Sequence, residues 1–228
     1  AENNGWVWTW NVPHDPAGLM ELMGGRERFC ARLDELFNKP LSTSKWHFLG
    51  QFPDATGLTG QFPMGNEPAF LIPYLYLYGG MPWRTQKRVR QMMQVWFDDD
   101  PLGICGDDDG GALSSWYVFS ALGFYPLCPG RPVYGIGSPI FERAVIRLGA
   151  GGQFTVSAPG DLVWLFKYRP SSSLNQFWAI ISWPCGSGVV ATEFAFILAM
   201  LGCHVIWVAQ HEPLAGQTAQ LADLPAAR

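Results

Sequence analysis

The chain has 228 residues, with 15 Lys and Arg against 19 Asp and Glu, and its formal net charge is -4. Hydrophobic residues make up 48% and charged residues 15%, which excludes a wholly disordered polymer and leaves room for a sizeable core. This mild acidity argues against a nucleic-acid-binding surface, because contacts to phosphates require clustered Lys and Arg.

Helix signals dominate the first part of the chain. Asp15-Pro16 predicts a helix start, because Asp caps free N–H groups and Pro fits the first helical position. Gly24-Gly25 predicts its end. Helical hairpins joined by long loops favour an all-α array over a parallel sheet. The further predicted helices are residues 26–37, a helix capped by Thr85 that carries Val89, Met92, Met93 and Trp96 at helical spacing, and residues 112–122, which end at Gly123.

The pattern changes to strands from Pro132. Residues 144–148 and 154–156 alternate on either side of Gly149-Ala150-Gly151-Gly152, which is a hairpin signal. The fold class is therefore predicted to be mainly α, followed by a few β-strands.

The composition changes again near residue 160. No Lys or Arg occurs over residues 170–227, and residues 194–208 have His204 as their sole polar member. That apolar run is shorter than the roughly 20 residues that span a membrane. Three interpretations of this tail stay open: a membrane helix, a buried hairpin, or sequence that does not belong to the domain before it.

The densest group of reactive side chains is Asp107-Asp108-Asp109, which precedes a predicted helix. Carboxylates at a helix N-terminus gain from its dipole, and they are hard oxygen ligands of the kind that Ca²⁺ takes. Asp107 and Asp109 can point the same way, one as a metal ligand and the other as a base. The alternative is a solvated capping loop. Asp98-Asp99-Asp100 is interpreted as a solvated run.

Two other segments carry candidate carboxyl groups. Residues 61–68 place Glu67 on a rigid turn beside apolar sequence, where it would be poorly solvated unless it is paired; a structural hydrogen bond in the turn is the alternative. Glu2 precedes the Trp-rich residues 6–10, which are expected as a strand or turn and could raise the pKa of its carboxyl group; a frayed terminus is the alternative. His14 suits a structural histidine.

Three carboxylate segments and eleven Trp suit sugar chemistry, since glycosidases place two carboxyl groups about the scissile bond. The sequence has no GxSxG, GxGxxG or GxxxxGK[ST] motif, which argues against serine hydrolase and nucleotide chemistry. Its five Cys show no CxxC spacing, so neither a zinc site nor a disulfide framework is indicated.

Short motifs follow one another in a fixed order over residues 1–158. They are Val12-Pro13-His14-Asp15, Gly18-Leu19 with Glu21-Leu22-Met23-Gly24-Gly25, Gly65-Asn66-Glu67-Pro68, Ile72-Pro73-Tyr74-Leu75-Tyr76, Thr85-Gln86, Gly106-Asp107-Asp108-Asp109-Gly110-Gly111, Ser115-Trp116-Tyr117-Val118-Phe119-Ser120, Gly123-Phe124-Tyr125-Pro126 and Gly137-Ser138-Pro139. In this order they resemble glycoside hydrolase family 92, the calcium-dependent, inverting exo-α-mannosidases.

The resemblance implies an N-terminal β-sandwich domain packed on an (α/α)6 barrel, a helical toroid, with the active site between the two. Residues 1–130 would be part of the barrel and residues 131–160 the strands after it. The β-sandwich domain would be missing from this chain and would be its partner. Residues 161–228 are unlike the family, and an altered reading frame or an unrelated extension is the expectation for them. A secreted or periplasmic protein is expected.

The resemblance also assigns roles. Glu2 matches the general acid, and Asp107 with Asp109 matches the acidic pair that supplies the general base. Ca²⁺ is expected at Gln61, Asn66 and Asp109, and mannose-containing glycans such as N-glycans or mannans are the expected substrates. The expected sugar-binding residues are Trp6, His14, Asp15 and Glu67.

One departure concerns specificity. Family members often have Ser-His-His after Asn-Glu-Pro, whereas this chain has Ala69-Phe70-Leu71, so the preferred linkage stays open. Two other functions stay open as well: an inactive or carbohydrate-binding remnant of a helical toroid, and a membrane-anchored interaction domain suggested by the tail alone.

Overall fold

The computed structural model describes residues 2–128, 131, 133–147 and 152–158, together with the backbone of residues 163–169, 177–182 and 204–206. Helices dominate up to residue 122 and strands follow, which confirms the predicted order of a helix-rich part and a strand-rich part. The helices are α1 Gly5–Trp8, α2 Pro16–Leu22, α3 Arg26–Asn38, α4 Lys45–Gln51, α5 Pro82–Trp96 and α6 Ala112–Leu122, with 3₁₀ turns at Glu67–Ala69 and Ile72–Leu77. The strands are β1 Leu58–Thr59, β2 Phe62–Pro63, β3 Phe124–Pro126, β4 Val133–Ile136, β5 Arg143–Arg147, β6 Gln153–Ser157, β7 Val163–Arg169, β8 Phe177–Ser182 and β9 His204–Ile206.

Helix ends follow the local signals in most places. The Asp15 carboxylate accepts a hydrogen bond from the Gly18 amide at 2.9 Å and caps α2 as predicted. Helix α6 lies between Gly111 and Gly123, whose φ angles of 96° and 89° suit residues without a Cβ.

Two of the local predictions were wrong. Helix α5 begins at Pro82 and not after Thr85, because Pro lacks the N–H that the first helical turn leaves unpaired. Thr85 is therefore buried inside the helix. The Trp-rich residues 6–10, expected as a strand or turn, contain the short helix α1, which Asn4 caps by accepting a hydrogen bond from the Trp6 amide.

The core forms where the apolar stripe of α3 meets the 3₁₀ turn Ile72–Leu77 and helix α5. Phe29, Leu33 and Leu36 are fully buried on that stripe. Each such side chain stabilises the fold by about 1.5–3 kcal/mol relative to an exposed one. Tyr76 on the 3₁₀ turn donates a hydrogen bond to Asp34 of α3 at 2.8 Å, so a polar contact also joins these two elements at the edge of the core.

Strands β5 to β8 form an antiparallel sheet in chain order. Arg147 pairs with Gln153, which confirms the predicted hairpin. Ser157 pairs with Leu165, so the sheet continues past residue 160. In a second sheet, β4 pairs antiparallel with β3 and parallel with β9.

The apolar run of residues 194–208, on which the membrane interpretation of the tail depends, lies outside the described residues except for the backbone of His204–Ile206. In the part of the chain that the structure describes, no helix is long and apolar enough to cross a membrane.

Candidate active site

Four separate segments of the chain meet around a cavity of about 320 Å³. Five carboxyl groups line it, and none of the described Lys or Arg side chains is among the lining residues. A binding site of this composition suits a cation and the hydroxyl groups of a sugar, since carboxylates accept hydrogen bonds and ligate hard metals. The lining residues are Glu2, Pro53, Asp54, Thr56, Gly65, Asn66, Glu67, Gly106, Asp107 and Asp109.

The three carboxylates of the acidic loop before α6 face different surroundings. Asp108 anchors the helix: its carbonyl oxygen accepts the Ala112 amide at 2.7 Å, and its carboxylate accepts the Ser114 amide at 2.8 Å. Asp107 and Asp109 both line the cavity, in agreement with the expectation that their side chains point the same way. Asp109 has a φ of 46°, a left-handed conformation that costs free energy for a residue other than glycine and is found at functional sites.

The loop that carries Asn66 and Glu67 packs backbone to backbone on the acidic loop. A Cβ atom built on Gly106 would lie 2.3 Å from the Gly65 carbonyl oxygen, and one built on Gly65 would lie 2.8 Å from the Cys105 carbonyl oxygen. Both positions therefore require glycine. The close approach brings Glu67 beside Asp109.

Burial raises the pKa of Glu67 above its usual range, and a hydrogen bond with the Asp109 carboxyl group and the negative charge of Glu2 raise the pKa further. The negative charges of Asp109 and Glu2 therefore act on Glu67 across a single site, and a bound cation would relieve their repulsion.

Buried amide side chains connect the N-terminal segment to the Asn66 loop. Asn4 Nδ2 donates to Gln61 Oε1 at 2.8 Å, and Asn3 Nδ2 donates to Asn66 Oδ1 at 3.4 Å. Asn3, Gln61 and Asn66 are each at most 4% exposed. These hydrogen bonds hold the residues after Glu2 against the wall of the cavity.

A family model described as the catalytic domain of glycosyl hydrolase family 92 matches residues 1–177. The chain belongs to glycoside hydrolase family 92. A curated relative, described as an uncharacterized secreted glycosidase of Arthroderma benhamiae, is 36% identical over 146 residues, which are 64% of this chain and 16% of the relative.

Two solved family 92 enzymes of Bacteroides thetaiotaomicron share the fold. The α-mannosidase BT3965, in complex with mannoimidazole, is 29% identical with a TM-score of 0.64, over 79% of this chain and 25% of its own. The inverting mannosidase BT2199 is 42% identical with a TM-score of 0.56, over 71% of this chain and 22% of its own. The chain thus spans a quarter or less of the length of these family 92 relatives.

The structure brings together most, though not all, of the residues that the sequence singled out. Glu2, Asn66, Glu67, Asp107 and Asp109 line the cavity. Asp54 and Thr56 line it too, and neither was predicted, because a short polar loop gives no sign of which distant segment it will face.

Four of the expected site residues are not among the lining residues. Trp6 is covered by Arg32 and Lys39, at 3.9 Å and 4.6 Å from its ring centroid. His14 is exposed, and Asp15 is occupied as the cap of α2. The remaining one is Gln61, whose side chain lies between Asn4 and the Pro40 carbonyl oxygen.

The donor atoms of this family 92 cavity fit Ca²⁺ better than a softer metal. Among the described residues, no three His, Cys, Asp or Glu side chains are grouped so that they could hold a metal by themselves. The oxygen atoms of Asn66 and Asp109 do line one cavity, and amide and carboxylate oxygens are the ligands that Ca²⁺ combines. Glu67 lines the same cavity, and a cation there would relieve the repulsion between its carboxylate and that of Asp109.

Proposed function

We propose that this chain forms part of the active site of an inverting, calcium-dependent α-mannosidase that removes terminal α-linked mannose from N-glycans or mannans. One observation carries the proposal: Glu2, Asp107 and Asp109, which come from distant parts of the sequence, line a single cavity. Inverting glycosidases need one carboxyl group as acid and another as base, with room for a water molecule between them.

In this proposal Glu2 protonates the glycosidic oxygen as it leaves. Asp107 and Asp109 face the same cavity and deprotonate the attacking water, while Asp108 keeps the loop fixed on α6. Glu67 accepts hydrogen bonds from the sugar. Because the base in this proposal activates a water molecule and does not itself attack the sugar, the reaction proceeds by one displacement and inverts the anomeric carbon.

Asn66 and Asp109 would hold Ca²⁺, which supplies Lewis-acid stabilisation of the sugar hydroxyl groups when it is bound. We propose no ligand role for Gln61, and no contact with the sugar for Trp6, His14 or Asp15, because none of these four lines the cavity.

The whole protein would add the parts that the family resemblance implies: the rest of an (α/α)6 barrel and an N-terminal β-sandwich domain. The relative described as secreted supports a protein that acts outside the cytoplasm. The retained carboxyl groups favour catalysis over the alternative of a carbohydrate-binding remnant, since binding alone requires neither an acid nor a base.

The test measures mannose release from an α-mannoside by the natural protein that contains this chain, with NMR detection of the first anomer formed. We expect β-mannose as the first product and loss of activity with EDTA that Ca²⁺ restores. Glu2→Gln should lower the rate by about 10²–10⁴-fold. Sugar binding without turnover in the wild-type protein would instead establish the carbohydrate-binding function.

A further inference from the structure

The general acid proposed above lies next to a buried set of amide side chains whose purpose the proposed function does not yet explain. Glu2 is exposed and lines the cavity, while its neighbour Asn3 is 3% exposed. A glutamate on such a segment has several rotatable bonds, and an acid catalyst needs a fixed position. What fixes the backbone after Glu2 therefore bears directly on catalysis.

Asn4 makes the strongest of these contacts. Its Nδ2 donates to Gln61 Oε1 at 2.8 Å, and its Oδ1 accepts the Trp6 amide at 3.0 Å, so both ends of the side chain are used. Gln61 is fixed in turn, because its Nε2 donates to the Pro40 carbonyl oxygen at 2.9 Å and its backbone amide donates to the Leu36 carbonyl oxygen at 2.9 Å. The end of α3 thereby holds Asn4 through Gln61.

Asn3 makes a second set of hydrogen bonds, on the side of the cavity. Its Nδ2 reaches Asn66 Oδ1 at 3.4 Å, and its carbonyl oxygen accepts the indole N–H of Trp8 at 3.0 Å. Its own Oδ1 accepts the Asn4 amide at 3.1 Å. The two residues that follow Glu2 are thus held from both sides by neutral groups.

Neutral amides suit this position. A Lys or Arg here would place a positive charge beside the proposed acid, and another carboxylate would add to the five that already line the cavity. Amides can fix the backbone by hydrogen bonds without changing the charge that the acid experiences.

We infer that Asn3, Asn4 and Gln61 are positioning residues that set the place of the Glu2 carboxyl group over the glycosidic oxygen. The inference rests on the proposed function, since it assigns these residues to the same reaction. None of the three touches the reacting atoms. They act through the backbone of Glu2, and a displacement of about 1 Å at a catalytic group costs about 10²-fold in rate.

The test compares two substrates of the natural protein: an α-linked mannobiose, whose leaving group needs a proton, and 2,4-dinitrophenyl α-mannoside, whose leaving group does not. Asn4→Ser keeps an oxygen that can cap α1 but cannot reach Gln61. We expect its kcat on mannobiose to fall by about 10–100-fold and its kcat on the activated mannoside to stay within about twofold.

The matched control is Asn38→Ser. It removes an asparagine amide that donates to the Asp34 carbonyl oxygen at 2.7 Å, on an exposed part of α3 away from the cavity. We expect both substrates to react with this control as with the wild type. Asn3→Ser is the second test variant, used if Asn4→Ser does not fold, and it should show the same selective loss.

Each outcome decides between the two proposals. An equal loss on both substrates would mean general damage to the site and would overturn the positioning role, as would full activity of Asn4→Ser and Asn3→Ser. If the wild-type protein hydrolyses neither mannoside, the proposed function fails first and the inference falls with it. Selective loss on mannobiose supports both.

Discussion

Gly65 and Gly106 bring the two halves of the candidate site into contact, since a Cβ on Gly106 would come within 2.3 Å of the Gly65 carbonyl oxygen. Backbone cannot move aside as a flexible side chain can. The position of Asn66 and Glu67 relative to Asp107 and Asp109 therefore depends on two residues that have no side chain. Neither glycine has chemistry of its own, yet both determine where the carboxyl groups lie.

Gly106→Ala should force the two loops apart and lower the proposed mannosidase activity by about 10²-fold, because the acidic pair would move away from Asn66 and Glu67. Overpacking of this kind also destabilises the fold by about 1–3 kcal/mol. Activity and the thermal unfolding midpoint are the measurements.

The matched control for that substitution is Gly50→Ala. Gly50 lies in helix α4, where an added Cβ meets nothing within 4 Å, so alanine should leave activity unchanged. It should also stabilise the helix by about 0.5–1 kcal/mol. Equal activity of the Gly106→Ala and wild-type proteins would show that the contact does not set the geometry of the site.

The acidic loop gives a comparison between neighbouring residues with the same side chain. Asp107→Asn and Asp109→Asn should each lower the rate by about 10²–10⁴-fold, since they remove candidates for the general base. Asp108→Asn keeps an oxygen for the Ser114 amide and should retain most of the activity. Steady-state rates of the three variants provide the measurement, and the same loss in all three would point to a general effect of charge.

Local signals predicted the elements that local chemistry determines. The end of α6 at Gly123, the Asp15 cap and the hairpin between β5 and β6 were all predicted correctly, because each depends on residues adjacent in sequence. The start of α5 was missed because Thr85 and Pro82 both carry start signals, and the proline lies further upstream.

The sequence predicted the residue types of the site, but it did not predict every residue that lines the cavity. The spacing of Asp107 and Asp109 was enough to place them on one face of the loop. The Asn4–Gln61 hydrogen bond joins residues 57 positions apart, and the sequence contains no pattern that records such a pairing. Tertiary contacts of this kind explain why Gln61 faces Asn4 while Asp54 lines the cavity.

Thr56 is predicted to contribute to sugar affinity. Its hydroxyl oxygen is buried without a hydrogen-bond partner among the described residues while Thr56 lines the cavity, so a rotation of the side chain would bring the hydroxyl to a bound sugar. Thr56 and Asn66 are the lining residues whose neutral side chains can donate a hydrogen bond. Sugar oxygens accept such hydrogen bonds. Thr56→Val should weaken mannose binding by about 5–10-fold in calorimetry, consistent with the loss of one hydrogen bond.

Thr85→Val is the control for that substitution, because Thr85 also has a buried hydroxyl without a described partner but lies inside α5. Removal of an unpaired polar atom from an apolar core should leave affinity unchanged and keep or increase stability. If both valine variants bind mannose as tightly as the wild type, Thr56 makes no contact with the sugar.

The thiols of Cys30 and Cys105 should react slowly with iodoacetamide. Burial raises the pKa of each to about 11, so the reactive thiolate is scarce at pH 8. Mass spectrometry of each cysteine-containing peptide, in the folded protein and in urea, measures the two rates. We expect faster alkylation in urea, where both pKa values return towards the usual range.

The same shift makes a prediction about stability. A folded-state pKa above the unfolded one stabilises the protein at neutral pH, and this contribution is lost as the pH rises from the unfolded value of about 8.5 towards 11. Cys30→Ala and Cys105→Ala should each flatten the fall in stability over that range, as measured by urea unfolding. An unchanged slope in both variants, or rapid alkylation of either thiol in the folded protein at pH 8, would contradict the assigned burial.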